Sequence, residues 1–175
     1  MTSEARLQEL WDREMIRDCL YRYCRGIDRV DEAALRSVAW PDGTDRHGPY
    51  QGTAEGFVAW ALKTLPSIER SLHQVHNVLI EFRPGGAAVE SCFTALHRQP
   101  GRDGAVVILR MCGRYVDWFE RRDGEWRIAE RTVVFDWIEE DAPPVGSEAE
   151  RFGLRQPIGG RRPDDPVYDL LARKA

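Results

Sequence analysis

Residues 105–140 read AVVILRMCGRYVDWFERRDGEWRIAERTVVFDWIEE, and this stretch decides the fold. It is rich in β-branched and aromatic residues, which favour strands, and the RDGE near its middle favours a tight hairpin connection. Two earlier segments have the same character, LHQVHNVLIEF (72–82) and AAVESCFTALHRQ (87–99). The sequence therefore predicts four long strands that pair as successive antiparallel neighbours.

The first part of the chain predicts three helices. Apolar residues recur at steps of three and four from Leu7 to Ile27, which is typical of a long amphipathic helix. Asp31 and Thr53 are placed to cap a second and a third helix. Between these two helices, WPDGTDRHGPYQG (40–52) is rich in turn residues, so we expect a connection there.

Helices followed by a run of strands predict an α+β fold, with the three helices packed on one curved sheet. We expect residues 1–140 to form this domain. Residues 141–175 are rich in proline, glycine and charge, and we expect them to form an arm or lid of the same domain. The expected anchors of the arm are its larger apolar residues: Phe152, Leu154, Val167, Tyr168 and Leu170.

Composition excludes several classes of protein. The 175 residues carry a formal net charge of −4, with both signs mixed along the chain, which gives no support for nucleic-acid binding. No apolar run is long enough to cross a bilayer, and the charged N-terminus does not resemble a signal peptide. The four cysteines have neither CxxC nor zinc-finger spacing, so we expect reduced thiols and a cytoplasmic location.

Asp28 and two histidines are the most informative polar residues. Asp28 follows Cys24 by one helical turn, so it either points inward and needs a partner, or ends the helix in solvent. His73 and His76 begin the first long strand, and strict alternation puts them on opposite faces, with His76 on the face of Ile80. Which of the two histidines is functional stays open. Histidines three apart on a strand diverge, so no metal site is predicted.

Other side chains could also reach a pocket. Tyr23 lies on the apolar stripe of the first helix, and His97 ends the second long strand. One of the strand arginines could point inward to stabilise an anion, although the pattern alone does not select it. We expect the substrate-binding residues to be Tyr23, His76, His97, Met111, Tyr115 and Arg131.

Four segments resemble the SnoaL-like branch of the nuclear-transport-factor-like superfamily. They are YRYCRGIDRVDEAAL (21–35), HGPYQG (47–52), LHQVHNVLIEF (72–82) and GRYVDWFERRDGEWRIAERTVVFDW (113–137). The resemblance implies a cone, in which helices close one side of a curved antiparallel sheet around a deep pocket. Members of this superfamily include dehydratases, dehydrochlorinases, cyclases, isomerases and binding modules, so the fold alone does not fix the function.

The pairing of Asp28 with His73 is similar to that in scytalone dehydratase and hexachlorocyclohexane dehydrochlorinase. The resemblance implies that Asp28 orients His73, that His73 removes a proton from a substrate carbon, and that Tyr23 donates a hydrogen bond. It implies a cofactor-independent lyase or isomerase acting on a small, apolar, cyclic molecule. The alternative is a non-catalytic module of the same fold that binds small molecules or serves in assembly.

We also expect a homo-oligomer, a dimer or trimer, built through the outer face of the sheet. Trp118 and Trp126 lie in strands and would otherwise expose large apolar groups there. No membrane or nucleic-acid partner is expected.

Overall fold

The structure is a computed structural model that describes residues 2–102, 104–142 and 145–173. The helical elements are α1 (Ser3–Arg29), α2 (Glu32–Arg36), α3 (Ala54–Thr64), a 3₁₀ turn (Leu65–Ser67), α4 (Glu148–Phe152) and α5 (Pro166–Leu171). The strands are β1 (Ala39–His47), β2 (Tyr50–Thr53), β3 (Arg70–Arg83), β4 (Gly86–Pro100), β5 (Val106–Arg122) and β6 (Glu125–Asp141). None of these helices combines the length and apolar character needed to cross a membrane.

The strands form one curved sheet in the order β2-β1-β6-β5-β4-β3. This confirms the α+β class, and the four long strands pair antiparallel as predicted. The turn-rich stretch 40–52 is instead mostly strand: it forms the β1–β2 hairpin at one edge of the sheet. Since β1 runs parallel to β6, the sheet is mixed rather than wholly antiparallel.

Local sequence signals explain where the first three helices begin. The side chain of Asp31 accepts a hydrogen bond from the backbone N–H of Ala34, and that of Thr53 accepts one from Gly56, which confirms both predicted caps. Gly26 lets α2 approach α1 closely, because a Cβ at this position would lie 2.8 Å from a methyl carbon of Leu35. The hydrophobic core lies between α1 and the concave face of the sheet and includes Ile16, Leu20, Tyr23, Phe93, Tyr115 and Phe119.

A β-bulge in β3 changes which face of the sheet its side chains occupy. The register against β4 shifts between Val75 and Val78, so His73 lies on the same, concave face as Ile80. His76 is exposed on the convex face, where its Nε2 lies 3.0 Å from Thr94 Oγ1. The expectation that His76 shares the face of Ile80 was therefore wrong, because strict alternation fails where one strand holds an extra residue.

The convex face differs from the expectation at one of its two tryptophans. Trp126 is buried, and its Nε1 donates a hydrogen bond to Asp12 at 2.8 Å, so it cannot form an outer patch. Apolar exposure on this face comes from Leu79, Val116 and Trp137, which are 64%, 42% and 57% exposed. Homo-oligomer formation through this face stays a prediction.

The C-terminal arm is held by polar contacts and by some of its expected anchors, since Phe152, Val167 and Tyr168 are half-buried. Leu154 is fully exposed and Leu170 is largely exposed, so the expectation for these two was wrong. Asp31 accepts hydrogen bonds from Arg162 at 2.7 Å and from the Tyr168 hydroxyl at 3.0 Å. A segment rich in arginine and aspartate docks in this way because charge-assisted hydrogen bonds can anchor it without a large apolar surface.

Candidate functional site

The carboxylate of Asp28 holds His73 at two points. One oxygen lies 2.7 Å from the ring Nδ1 of His73, and the other accepts the backbone N–H of the same residue at 2.9 Å. Both side chains are only 7% exposed. Asp28 therefore points inward rather than into solvent, and its carboxylate has the partner that burial requires.

The end of α1 aims Asp28 at β3. Asp28 lies in the last turn of the helix, two residues before the C-cap Val30, which has φ 53° and ψ 45°. A β-branched residue in this left-handed region is uncommon and costs about 1–2 kcal/mol. The reversal ends the helix at Arg29, one residue after Asp28, and leads the chain into α2, whose cap Asp31 is buried.

His73 lines a cavity of about 170 Å³ between the concave face of the sheet, α1 and α3. We call it the inner cavity. Its walls are mostly aromatic and aliphatic, and the ring of Tyr115 stacks on Phe93 with centroids 4.5 Å apart. The predicted residues Tyr23, His97, Met111 and Tyr115 all line it. His76 does not, because the bulge turns it to the convex face.

The polar atoms in the wall that have no hydrogen-bond partner among the described residues include the hydroxyl of Tyr23 and Nε2 of His97. Burial raises the pKa of the Tyr23 phenol, so this group stays a hydrogen-bond donor. Burial, together with the nearby His73, lowers the pKa of His97 to about 4, so this imidazole is neutral at pH 7. The rings of His73 and His97 lie 5.3 Å apart, so a ligand at His73 would also meet His97.

Arg131 is not part of the cavity lining. Its guanidinium donates two hydrogen bonds to Asp117, at 2.8 and 2.7 Å, and both side chains are essentially buried. The guanidinium also packs against the rings of Tyr23 and Tyr115, 4.2 and 4.3 Å from their centroids. Because Arg131 packs against two lining residues and does not itself line the cavity, it supports the wall, and its charge is paired with Asp117.

Sequence reasoning missed His47 and Asp45. His47 lines the inner cavity and stacks on Phe57, with ring centroids 4.6 Å apart. Its Nδ1 lies 3.5 Å from Oδ1 of the buried Asp45. Both residues fall in the stretch that we interpreted as turns. The HGPYQG motif that supported the resemblance contains His47, and it was the one signal that could have drawn attention to this residue.

A second, open cleft of about 400 Å³ adjoins the inner cavity. We call it the outer cleft. It shares Ile27, Leu65 and His97 with the inner cavity, and residues 159–161 of the C-terminal arm form one of its walls. Arg161 holds the arm here through hydrogen bonds to the carbonyl oxygens of Leu65, at 3.1 Å, and Ile68. The arm therefore borders the approach to His73.

The acidic and histidine side chains of this site do not converge on one point. In residues 2–102, 104–142 and 145–173, no three or more His, Cys, Asp or Glu side chains converge as metal ligands would. The two carboxylates nearest the cavity histidines, Asp28 and Asp45, are each directed at a ring Nδ1. These groups are therefore arranged to position imidazoles.

Comparison with solved structures returns the same architecture. A type 2 hexachlorocyclohexane dehydrochlorinase (LinA) has a TM-score of 0.71 and 21% identity, over 81% of this chain and 99% of that one. A protein named provisionally as a scytalone dehydratase from Novosphingobium aromaticivorans has a TM-score of 0.66 and 20% identity, over 79% and 96%. The Kfla4162 protein from Kribbella flavida has a TM-score of 0.67 and 16% identity, over 75% and 95%. At these identities the similarity establishes the fold.

Comparison with sequence families is more direct. No curated protein matches the chain. The model of the SnoaL-like domain matches residues 8–132, which contain α1 to β5 and the first half of β6. This range includes Asp28, His47, His73 and His97. The chain therefore belongs to the SnoaL-like domain family of the nuclear-transport-factor-like superfamily.

Proposed function

We propose that this protein is a cofactor-independent lyase or isomerase in which His73 is the general base and Asp28 positions it. The observation that carries the proposal is the 2.7 Å contact between Asp28 and His73 Nδ1 in the wall of the inner cavity. A carboxylate at Nδ1 favours the tautomer with the proton on that nitrogen. Nε2 then keeps its lone pair, which can accept a proton from a substrate carbon.

The size and polarity of the inner cavity support a small, neutral, cyclic substrate. Its volume of about 170 Å³ is close to that of an engineered cavity of about 150 Å³ that binds benzene. No lysine or arginine is found among the described residues that line it, and the nearby Arg131 is already paired. A single ring with small substituents fits these walls, whereas an anionic group would be buried without a cation.

Two further groups would stabilise the intermediate that follows proton removal. Abstraction of a proton beside a carbonyl leaves negative charge on its oxygen, and a buried donor at that oxygen lowers the barrier. The unpaired hydroxyl of Tyr23 is such a donor. His97 has an unpaired Nε2 at the junction with the outer cleft, and we assign it to substrate binding.

The alternative of a non-catalytic binding module has less support. A binding pocket needs shape and a few hydrogen bonds, and it does not require a carboxylate fixed at Nδ1 of a histidine. The contact between Asp28 and His73 therefore favours the enzyme.

The test is a panel of cyclic ketones and hydroxyketones, followed by ultraviolet absorbance as a conjugated double bond forms or moves. We expect turnover by the wild type, and a loss of about 10²–10⁴-fold in His73→Ala with the fold intact. His76→Ala is the matched control, because the structure places this histidine outside the cavity. If a ring from the panel binds the wild type tightly but is never converted, the binding module is correct.

A further inference from the structure

A second histidine and carboxylate meet at the inner cavity, and the proposed function gives them no role. Asp45 Oδ1 and His47 Nδ1 are buried, and neither has a hydrogen-bond partner among the described residues. They lie 3.5 Å apart, so each is the nearest group that can satisfy the other. Buried polar atoms are seldom left in this state, and the exceptions need an explanation.

Asp45 is the neighbour that favours a proton on His47, against burial, which lowers the pKa of this ring overall. Asp45 pairs in register with Arg131 on the neighbouring strand, yet Nε and Nη2 of that guanidinium both donate to Asp117. Two buried carboxylates therefore share one cation. A protonated imidazole at His47 would give these carboxylates a second cation, whereas burial, the larger effect, lowers the pKa of His47.

His47 faces the same cavity as His73 from the other end of the sheet. β1 and β3 are separated by β6, β5 and β4 in the strand order, and only the curvature of the sheet brings both residues to one cavity. Stacking on Phe57 holds the plane of the His47 ring. With Nδ1 directed at Asp45, Nε2 is the nitrogen left to meet a ligand.

We propose that His47, positioned by Asp45, is the proton donor of the reaction for which His73 is the base. His73 Nε2 takes a proton from a substrate carbon, and the electron pair of that C–H bond becomes the new C=C bond. The neighbouring C–O bond breaks with its electron pair on oxygen, and the oxygen takes the proton of His47 and leaves as water. This inference rests on the proposed function and narrows it to loss of a hydroxyl group.

The electrostatic surroundings of His47 suit a donor. Burial lowers the pKa of His47, and the positive charge of Arg131 acts in the same direction, whereas Asp45 opposes it. The neighbouring His97 is neutral at pH 7 and adds no charge. The protonated ring is therefore a stronger acid than free imidazolium, and it transfers its proton readily once Asp45 has helped it to form.

Two probes separate the two proton transfers. 3-Hydroxycyclohexanone and 3-chlorocyclohexanone lose water and hydrogen chloride, respectively, to give the same absorbing product, cyclohexenone. Both reactions need a base to remove the proton from carbon. Chloride leaves without being protonated, whereas the hydroxyl group must take up a proton to leave as water. We expect His47→Gln to slow loss of water by about 10²-fold or more and to leave loss of chloride nearly unchanged. His73→Ala should slow both reactions by about 10²–10⁴-fold, and His76→Gln should slow neither.

Each other outcome has a defined meaning. Equal loss with the two probes in His47→Gln overturns the donor role and leaves the base in place. If the wild type converts neither probe, the proposed function fails and the inference fails with it.

The pH dependence of the rate in Asp45→Asn is a second measurement, and it would not change if Asp45 served only the fold. With the hydroxyl probe, the rate falls at alkaline pH as His47 loses its proton. In Asp45→Asn, this fall in rate should occur at lower pH, because the protonated His47 loses the carboxylate that stabilises it. If the rate falls at the same pH in Asp45→Asn and in the wild type, the positioning role of Asp45 is contradicted.

Discussion

Behind the inner cavity, the buried ion pair of Arg131 and Asp117 has two hydrogen bonds of 2.7–2.8 Å and pairs every charge it contains. In the cavity wall, the hydroxyl of Tyr23 and Nε2 of His97 are buried and have no partner among the described residues. The same sheet thus contains satisfied and unsatisfied polar groups a few ångströms apart. Satisfied groups serve stability, and we infer that the unsatisfied ones are kept for a ligand.

The largest effect is expected at the ion pair. Asp117→Ala leaves the guanidinium of Arg131 buried without a counter-charge, and we expect a loss of about 3–5 kcal/mol in the free energy of unfolding. Denaturant unfolding monitored by tryptophan fluorescence measures it. The double variant Asp117→Leu/Arg131→Met should recover most of the loss, because an apolar pair has no charge to desolvate. A loss below about 1 kcal/mol in the single variant would show that the pair is not a supporting element.

A smaller effect is expected for His97 under acid conditions. Burial depresses the pKa of His97 from 6.5 to about 4, so the unfolded chain binds more protons between these pH values and stability falls as pH falls through this window. Relative to the wild type, His97→Leu should gain about 2 kcal/mol between pH 7 and pH 4, less than the full shift because the group borders an open cleft. An equal change in the free energy of unfolding between pH 7 and pH 4 in the two proteins would contradict this prediction.

The smallest effect on stability is expected in the wall. Tyr23→Phe removes a hydroxyl that has no partner, so the free energy of unfolding should stay within about 1 kcal/mol of wild type or rise. Affinity for a neutral cyclic ketone should fall about tenfold, the effect of one lost hydrogen bond. Calorimetric binding and thermal unfolding of the same preparation measure both quantities. A stability loss above about 2 kcal/mol would mean that the hydroxyl serves the fold.

The helices and long strands could be predicted because their signals are local. The apolar steps from Leu7 to Ile27 coincide with α1, and the caps at Asp31 and Thr53 lie where the side chains suggested. Asp28 stayed ambiguous because periodicity cannot show whether the last turn of a helix meets a partner. That partner, His73, is 45 residues further along the chain.

The missed features depend on insertions and distant pairings. A regular hairpin around the turn at Asp123 would pair Asp117 with Glu130, and it is the extra residue between Ile128 and Glu130 that brings Arg131 opposite Asp117. A similar bulge turns His76 outward. No local pattern shows such insertions, since each is selected by the packing of the whole sheet.

The tautomer of His73 tests the central claim most directly. The account requires the proton on Nδ1, facing Asp28, and a lone pair on Nε2, facing the inner cavity. ¹⁵N NMR of histidine-labelled protein, assigned with His73→Ala, distinguishes the two ring nitrogens in the neutral imidazole. We predict that Nδ1 is the protonated nitrogen of His73 in the wild type and that Asp28→Ala loses this preference. A wild-type ring protonated mainly on Nε2 would contradict the account, because His73 could then accept no proton from a substrate.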